Sequence, residues 1–238
     1  MAFAPRLLLP PRPPLPAPAR ASARHNGGGG RTAPELSGPT PRVVVVTSGK
    51  GGVGKTTTTA NLAASLARLG LPVVAVDADA GLRNLDLLLG LENRVNLTAA
   101  DVLAGDCRLD QALVRHRSLR GLHLLCLSKP RSKLPLAFGS KTLTWVADAL
   151  RRGADPPAFI LIDCPAGVDA GFVTAIAPAE EAVLVTTPDI TALRDADRVA
   201  GLLECDGIKD IKIIVNRVRP DLASPWSRRR GVWWSGTR

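Results

Sequence analysis

Gly-Lys-Gly-Gly-Val-Gly-Lys-Thr, residues 49–56, constrains this chain more than any other stretch of its sequence. It satisfies the pattern G-x-x-x-x-G-K-[ST], follows the β-branched run RVVVV (42–46) and precedes a stretch with helical periodicity. A glycine loop that ends a buried strand and opens a helix curls its backbone N–H groups around an anion, and the positive end of the helix adds to the attraction. The sequence therefore predicts a phosphate cradle of Gly49, Gly51, Gly52, Val53 and Gly54, with Thr57 continuing it into the helix. Lys55 is placed to neutralise β- and γ-phosphates, and the Thr56 hydroxyl to bind Mg²⁺. Lys50 is a second lysine, for which the same phosphates leave little room. Its plainest reading is a solvated loop residue; the sharper one is that it serves a neighbouring site.

Around this loop the chain alternates strand and helix. Leu62, Leu66 and Leu69 recur at helical spacing and predict the apolar face of the helix after the loop, which Gly70 and Pro72 stop. PVVAVDAD (72–79), AFILIDCPAG (158–167), EAVLVTTP (181–188) and IKIIVNRV (211–218) read as further apolar strands, with helices around 97–104, 140–152 and 191–204. This alternation predicts an α/β fold built on a doubly wound, mostly parallel sheet, which binds ligands at the carboxyl ends of its strands.

The acids stand at those ends. Asp77 and Asp79 lie two residues apart, on the same side of an extended chain, where paired carboxylates hold Mg²⁺ through water and orient an attacking water. Asp163 ends another apolar strand and is the natural completion of the Mg²⁺ shell. The plainer alternative for either position is a carboxylate capping the loop that follows.

Charge excludes some functions. Of the formal net charge of +10, residues 1–41 carry five Arg against Glu35 and residues 217–238 carry six Arg against Asp221, which leaves +1 for residues 42–216. The basic character thus belongs to the ends, and the central region lacks the excess positive charge of a nucleic-acid-binding surface. Cys107, Cys126, Cys164 and Cys205 are widely spaced, without a C-x-x-C pair or a histidine at zinc-ligand spacing, and read as reduced, mostly core thiols.

KGGVGKT, with its extra lysine at Lys50, is similar to the deviant Walker A motif of the SIMIBI-type P-loop NTPases that include the MinD, ParA and nitrogenase iron proteins. In that family two subunits sandwich two nucleotides. The resemblance implies an ATP- and Mg²⁺-dependent homodimer in which Lys50 reaches across to the partner's phosphates, Asp79 belongs to the water-activating switch, and Asp163 is the Walker B acid. Lys50, Lys55 and Asp79 are then the catalytic residues, and Thr56, Asp77, Asp79 and Asp163 surround the metal. It also implies that the Asn216 amide reads the adenine edge. Guanine-specific relatives carry an Asp three residues later, where this chain has Arg219, so ATP is favoured.

DADAGLRNLDLLLGLENRV, DVLAGDCRLDQAL, LIDCPAGVDAGF and TTPDITALRDADRV resemble the MinD branch, and SKPRSKLPLAFGSKTLTWVADAL its plastid members, over about 42–222. The resemblance implies an ATP hydrolase of the chloroplast stroma, peripheral at the inner envelope, that restricts division-ring assembly to mid-plastid. Its implied partners are a MinE-type activator and plastid division-ring regulators, with no nucleic acid. A DNA-partition role of the ParA kind conflicts with the near-neutral core. An iron-protein role would need Cys126 and Cys164 as cluster ligands, against the G-L-R-N-L-D switch and the lack of glycine around Cys164.

The ends depart from this pattern. Residues 1–41 are rich in Pro, Arg and small residues and read as a disordered transit leader, plastid rather than mitochondrial. Residues 42–222 form the expected ATPase domain. The tail 223–238, ASPWSRRRGVWWSGTR, interleaves Trp with Arg and matches nothing in the family. It reads as an alternative or frameshifted end, with the C-terminal part of the fold incomplete and the amphipathic membrane helix missing. Weak Mg-ATP binding and loss of ATP-gated membrane attachment are the expected consequences, and a catalytically silent binding isoform is the alternative function.

Overall fold

The order of the strands decides where a ligand can bind. In the computed structural model, which describes residues 40–79, 83–128 and 141–219, seven strands form one sheet in the order β3-β4-β2-β5-β1-β6-β7. The strands are β1 (Arg42–Thr47), β2 (Val73–Asp77), β3 (Val114–Arg115), β4 (Leu122–Cys126), β5 (Phe159–Asp163), β6 (Glu181–Thr186) and β7 (Asp210–Val215). All neighbouring pairs are parallel except β3 with β4. From β1 the chain builds outward to β2, β4 and β3, then returns to insert β5 beside β1. It next places β6 on the other side of β1. That reversal opens a crevice at the carboxyl ends of the central strands, where β1 runs into the glycine loop.

The helices are α1 (Lys55–Arg68), α2 (Leu85–Leu88), α3 (Ala99–Ala104), α4 (Leu109–Ala112), α5 (Lys141–Arg151), α6 (Ala170–Ile176) and α7 (Ile190–Cys205). β1 is buried on both faces, as a central parallel strand must be. Val43 and Val45 pack with Val146 of α5, Phe172 of α6, and Val199 and Leu203 of α7. Val44 and Val46 pack on the other face with Ala60, Ala63 and Ala67 of α1 and Leu85 of α2. None of the described helices is long and apolar enough to cross a membrane.

The doubly wound, mostly parallel sheet is the one expected, with two corrections. The buried stripe of α1 is Thr59, Ala60, Ala63 and Ala67 rather than leucine; Leu62 and Leu66 flank it, and Leu69 lies just past the helix, 58% exposed. Small residues let the helix backbone approach the sheet closely, and the larger leucines are left at the margins. The second correction is β4 with its edge partner β3, a pair the strand pattern did not reveal. The expected leader (1–41) lies outside the described residues except for Thr40 and Pro41, and the expected tail (223–238) lies outside them entirely.

Candidate functional site

The loop between β1 and α1 has the backbone its glycines allow. Gly52 and Gly54 take φ of 75° and 103°, the left-handed region that a side chain disfavours. Gly54 is the N-cap of α1 and no side chain caps that end, so the first N–H groups of a 14-residue helix are left for a ligand. Gly49 is needed for a different reason: a Cβ there would lie 2.5 Å from the Asp195 carbonyl oxygen of α7. Gly51 and Gly52 are exposed, Val53 is buried, and the Thr57 side chain stands exposed at the start of α1. Lys55 is buried to 8% exposure at the base of the loop.

Asp163 is the centre of the site. The parallel register sets it beside Val46 of β1 and beside Asp77 of β2. The period of two along each strand directs both acids to the face that α1 covers. Asp163 Oδ1 accepts from Thr59 Oγ1 at 2.9 Å, and the Thr56 hydroxyl also hydrogen-bonds this carboxylate. Burial raises its pKa to about 6, against the opposing pull of Thr56, Thr59 and the Lys55 charge. The structure thus brings Lys55, Thr56 and Asp163 together and adds Thr59, which the sequence reading did not include and whose hydroxyl also donates to the Lys55 carbonyl. Thr59 lies one helical turn beyond Lys55 in a run of four threonines, and that i+4 spacing is the one signal the sequence holds for it.

Asp77 and Asp79 stand in different settings. The Asp77 carboxylate accepts from the N–H groups of Asp79 (3.1 Å), Asn84 (3.3 Å) and Leu85 (3.1 Å). It thereby braces both ends of the segment that carries Asp79 to α2. At 1% exposure it needs such donors. Burial is the main cause that raises its pKa to about 7, with Asp163 adding to the rise and the Leu85, Asp79 and Asn84 N–H groups opposing it. Asp79 is half-buried beyond it. Among the described residues no three His, Cys, Asp or Glu side chains converge as a metal cage. The donors suit a hard cation that keeps much of its water and takes one hydroxyl and one carboxylate from the protein.

Two further side chains take places the sequence did not reveal. Lys50 Nζ rests 3.0 Å from Thr191 Oγ1 and 3.3 Å from Asp189 Oδ1, at the N-terminus of α7. Asn216, immediately after β7, donates from Nδ2 to the Val53 carbonyl at 2.8 Å, so its amide touches the glycine loop. It also borders a groove of about 370 Å³ beside Thr57, Thr58 and Asn61. A larger cavity of about 1040 Å³ opens at the opposite ends of the strands, by Val73 and His123, and contains none of these groups.

The family model of the CobQ/CobB/MinD/ParA nucleotide binding domain matches residues 44–225. The chain is 73% identical over 190 residues to the chloroplastic septum site-determining protein minD homolog of Arabidopsis thaliana, covering 79% of this chain and 58% of that protein. It thus spans somewhat more than half the length of that relative. The structure resembles the septum site-determining protein MinD of Pyrococcus horikoshii complexed with Mg-ADP, with TM-score 0.68, 36% identity, and 79% and 76% of the two chains covered. It also resembles the MinC:MinD cell division protein complex of Aquifex aeolicus, with TM-score 0.66, 41% identity, and 79% and 72% covered. With the glycine loop, the buried Lys55 and the Asp163 cluster inside the matched region, this chain belongs to the CobQ/CobB/MinD/ParA nucleotide-binding-domain family.

Proposed function

We propose that this protein is a plastid MinD-type ATPase, which binds Mg-ATP at the loop 49–57, dimerises on it and helps to place the division site. The observation that carries the reading is the joining of Lys55, Thr56 and Asp163 beneath an uncapped helix N-terminus, with a second lysine, Lys50, held outside the loop. The name of the Arabidopsis relative supports the plastid setting and the division role. The MinC:MinD complex supports a protein partner in kind.

The work of each residue follows from its place. The backbone N–H groups of Gly51 to Lys55 bind phosphate oxygens, and buried Lys55 neutralises their charge. Thr56 and Asp163 would hold Mg²⁺, with Asp77 and Asp79 as the nearby acids at the strand end. The ion supplies positive charge to the phosphates, as phosphoryl transfer requires. Asp79 orients the attacking water, on a segment whose ends Asp77 fixes. Lys50 leaves the α7 terminus to reach the phosphates of a second copy, which ties hydrolysis to dimerisation. The base occupies the groove beside Asn216. In this reading the protein works in the stroma with a MinE-type activator and division-ring regulators.

The deciding test is a calorimetric titration of the full chain with Mg-ATP, beside Lys55→Ala. Saturable binding that the substitution abolishes supports the reading; a folded chain that binds no Mg-ATP overturns it. Turnover lost on Lys50→Ala or Asp79→Ala separates the enzyme from a silent binding isoform.

A further inference from the structure

The side chain of Asn216 is committed to the protein. Its backbone N–H donates to the Thr186 carbonyl of β6 at 2.7 Å, which anchors the residue to the sheet. Nδ2 donates to the Val53 carbonyl at 2.8 Å, and Oδ1 accepts the Arg217 N–H at 2.8 Å. Both ends of the amide therefore have protein partners. The loop comes so close that a Cβ on Gly54 would sit 2.5 Å from Asn216 Nδ2, and Gly54 already has φ 103°, so no side chain fits between them. Arg217 follows with φ 57°, a left-handed conformation uncommon for a residue other than glycine. The chain turns sharply off β7 at the residue whose N–H holds the amide in place.

We infer that Asn216 is a positioning residue for the phosphate loop: it ties the end of β7 to the Val53 carbonyl and so holds the loop's N–H groups in their phosphate-binding arrangement. The inference rests on the nucleotide reading above and deepens it. A residue that reads the base affects ligands with a base. A residue that holds the loop affects every ligand with phosphates, by the same factor. In this role β7 is part of the phosphate site, although it contributes no phosphate ligand.

The test compares the full chain with Asn216→Ala and Asn216→Asp, using Mg-ATP and base-free Mg-tripolyphosphate as probes in calorimetry. Asn216→Ala is expected to weaken both ligands equally, about tenfold, the effect of one lost hydrogen bond to a partly buried carbonyl. Asn216→Asp keeps the shape but sets a carboxylate against that carbonyl, and is expected to weaken both further. Loss confined to ATP, or no loss for either ligand, overturns the inference. Hydrogen–deuterium exchange on the nucleotide-free proteins provides a second readout, independent of binding. Faster exchange across residues 49–56 in both variants, with β5 unchanged, supports the positioning role, and unchanged exchange in the loop overturns it. Failure of the unaltered chain to bind either probe would overturn the nucleotide reading, while exchange would still decide the role of Asn216.

Discussion

Lys50 and Asp189, 139 residues apart in sequence, meet at 3.3 Å where the glycine loop passes the N-terminus of α7. Asp189 is the N-cap of that helix. It accepts from the Thr187 and Thr191 hydroxyls and the Ala192 N–H as well as from Lys50, and these donors, Thr187 first, hold its carboxyl well below the usual carboxylate range. Both side chains of the ion pair are about half exposed, at 47% and 48%, so the pair contributes little and is easily exchanged for phosphate. The side chain of this loop lysine thus rests on the N-terminus of α7.

Removing Lys50 should therefore separate binding from turnover. Lys50→Ala is expected to leave Mg-ATP affinity within about threefold, because Lys55 alone stands at the base of the loop, while reducing turnover by at least about a hundredfold if, as proposed, its charge acts in the transition state. Asp189→Ala is expected to lower the melting temperature by a few degrees through loss of the cap, and to leave ATP binding intact. Steady-state ATPase assays and calorimetry on the same preparations check both. Full turnover in Lys50→Ala would remove the lysine from the mechanism.

The buried acids give the stability of the nucleotide-free protein a pH dependence of definite sign. Asp77 at about 7 and Asp163 at about 6 both lie above the ordinary value of 3.8 that they regain on unfolding. Between those limits the native state binds more protons than the unfolded chain, so this contribution is fully present below about pH 4 and is lost as pH rises through 6 to 7. Without nucleotide or Mg²⁺, the protein is expected to melt at a higher temperature at pH 5 than at pH 8, and Asp163→Asn should flatten the difference. Mg-ATP favours the ionised carboxylates, so its binding should release protons and tighten from pH 6 to 8. An unaltered chain whose melting temperature rises steadily over pH 5 to 8, with Asp163→Asn following it, would contradict the assignment.

The sequence is most legible where chemistry is local. β1, β2, β5 and β6 were visible because buried parallel strands read as continuous apolar runs, β7 because its Ile and Val make a similar run although it is only partly covered, and the loop because its glycines and Lys55 are contiguous. β4 escaped because LHLLC lacks β-branched residues and has a histidine at its second position, although its neighbours on both sides make it an interior strand. α2 and α4, four residues each, are too short for a period to develop. In the site, the partners of Lys50 and Asn216 lie 139 and 163 residues away, and spacing along the chain carries no trace of such contacts. The brace that Asp77 makes is closer in sequence, but it depends on backbone N–H groups whose direction residue identity does not encode.

Gly49 tests how tightly α7 is set against the loop. The backbone of Asp195 would lie within 2.6 Å of a Cβ at that position, and backbone cannot swing aside as a flexible side chain does. Gly49→Ala is expected to destabilise the domain by about 1–3 kcal/mol, the usual cost of overpacking, and to weaken Mg-ATP binding by displacing the loop's entrance. Thermal melts and calorimetry measure the two effects. Unchanged stability with unchanged binding would mean that α7 yields freely.

The thiols report on the same core from another direction. Cys126 and Cys164 are buried and their pKa values are pushed up to about 12, chiefly by desolvation, whereas Cys205 is exposed on α7. A thiol held protonated and out of contact with solvent does not react with alkylating reagents. Brief treatment with iodoacetamide at pH 8 is expected to modify Cys205 fully and to leave Cys126 and Cys164 intact, as peptide mass spectrometry would read directly. In a denaturant series the two buried thiols should become reactive together, because both sit at the carboxyl ends of strands in the one continuous sheet that carries Asp77 and Asp163. Reaction of Cys164 under native conditions would mean that the end of β5 opens on its own, and the phosphate site could then not be the rigid cradle that its hydrogen bonds describe.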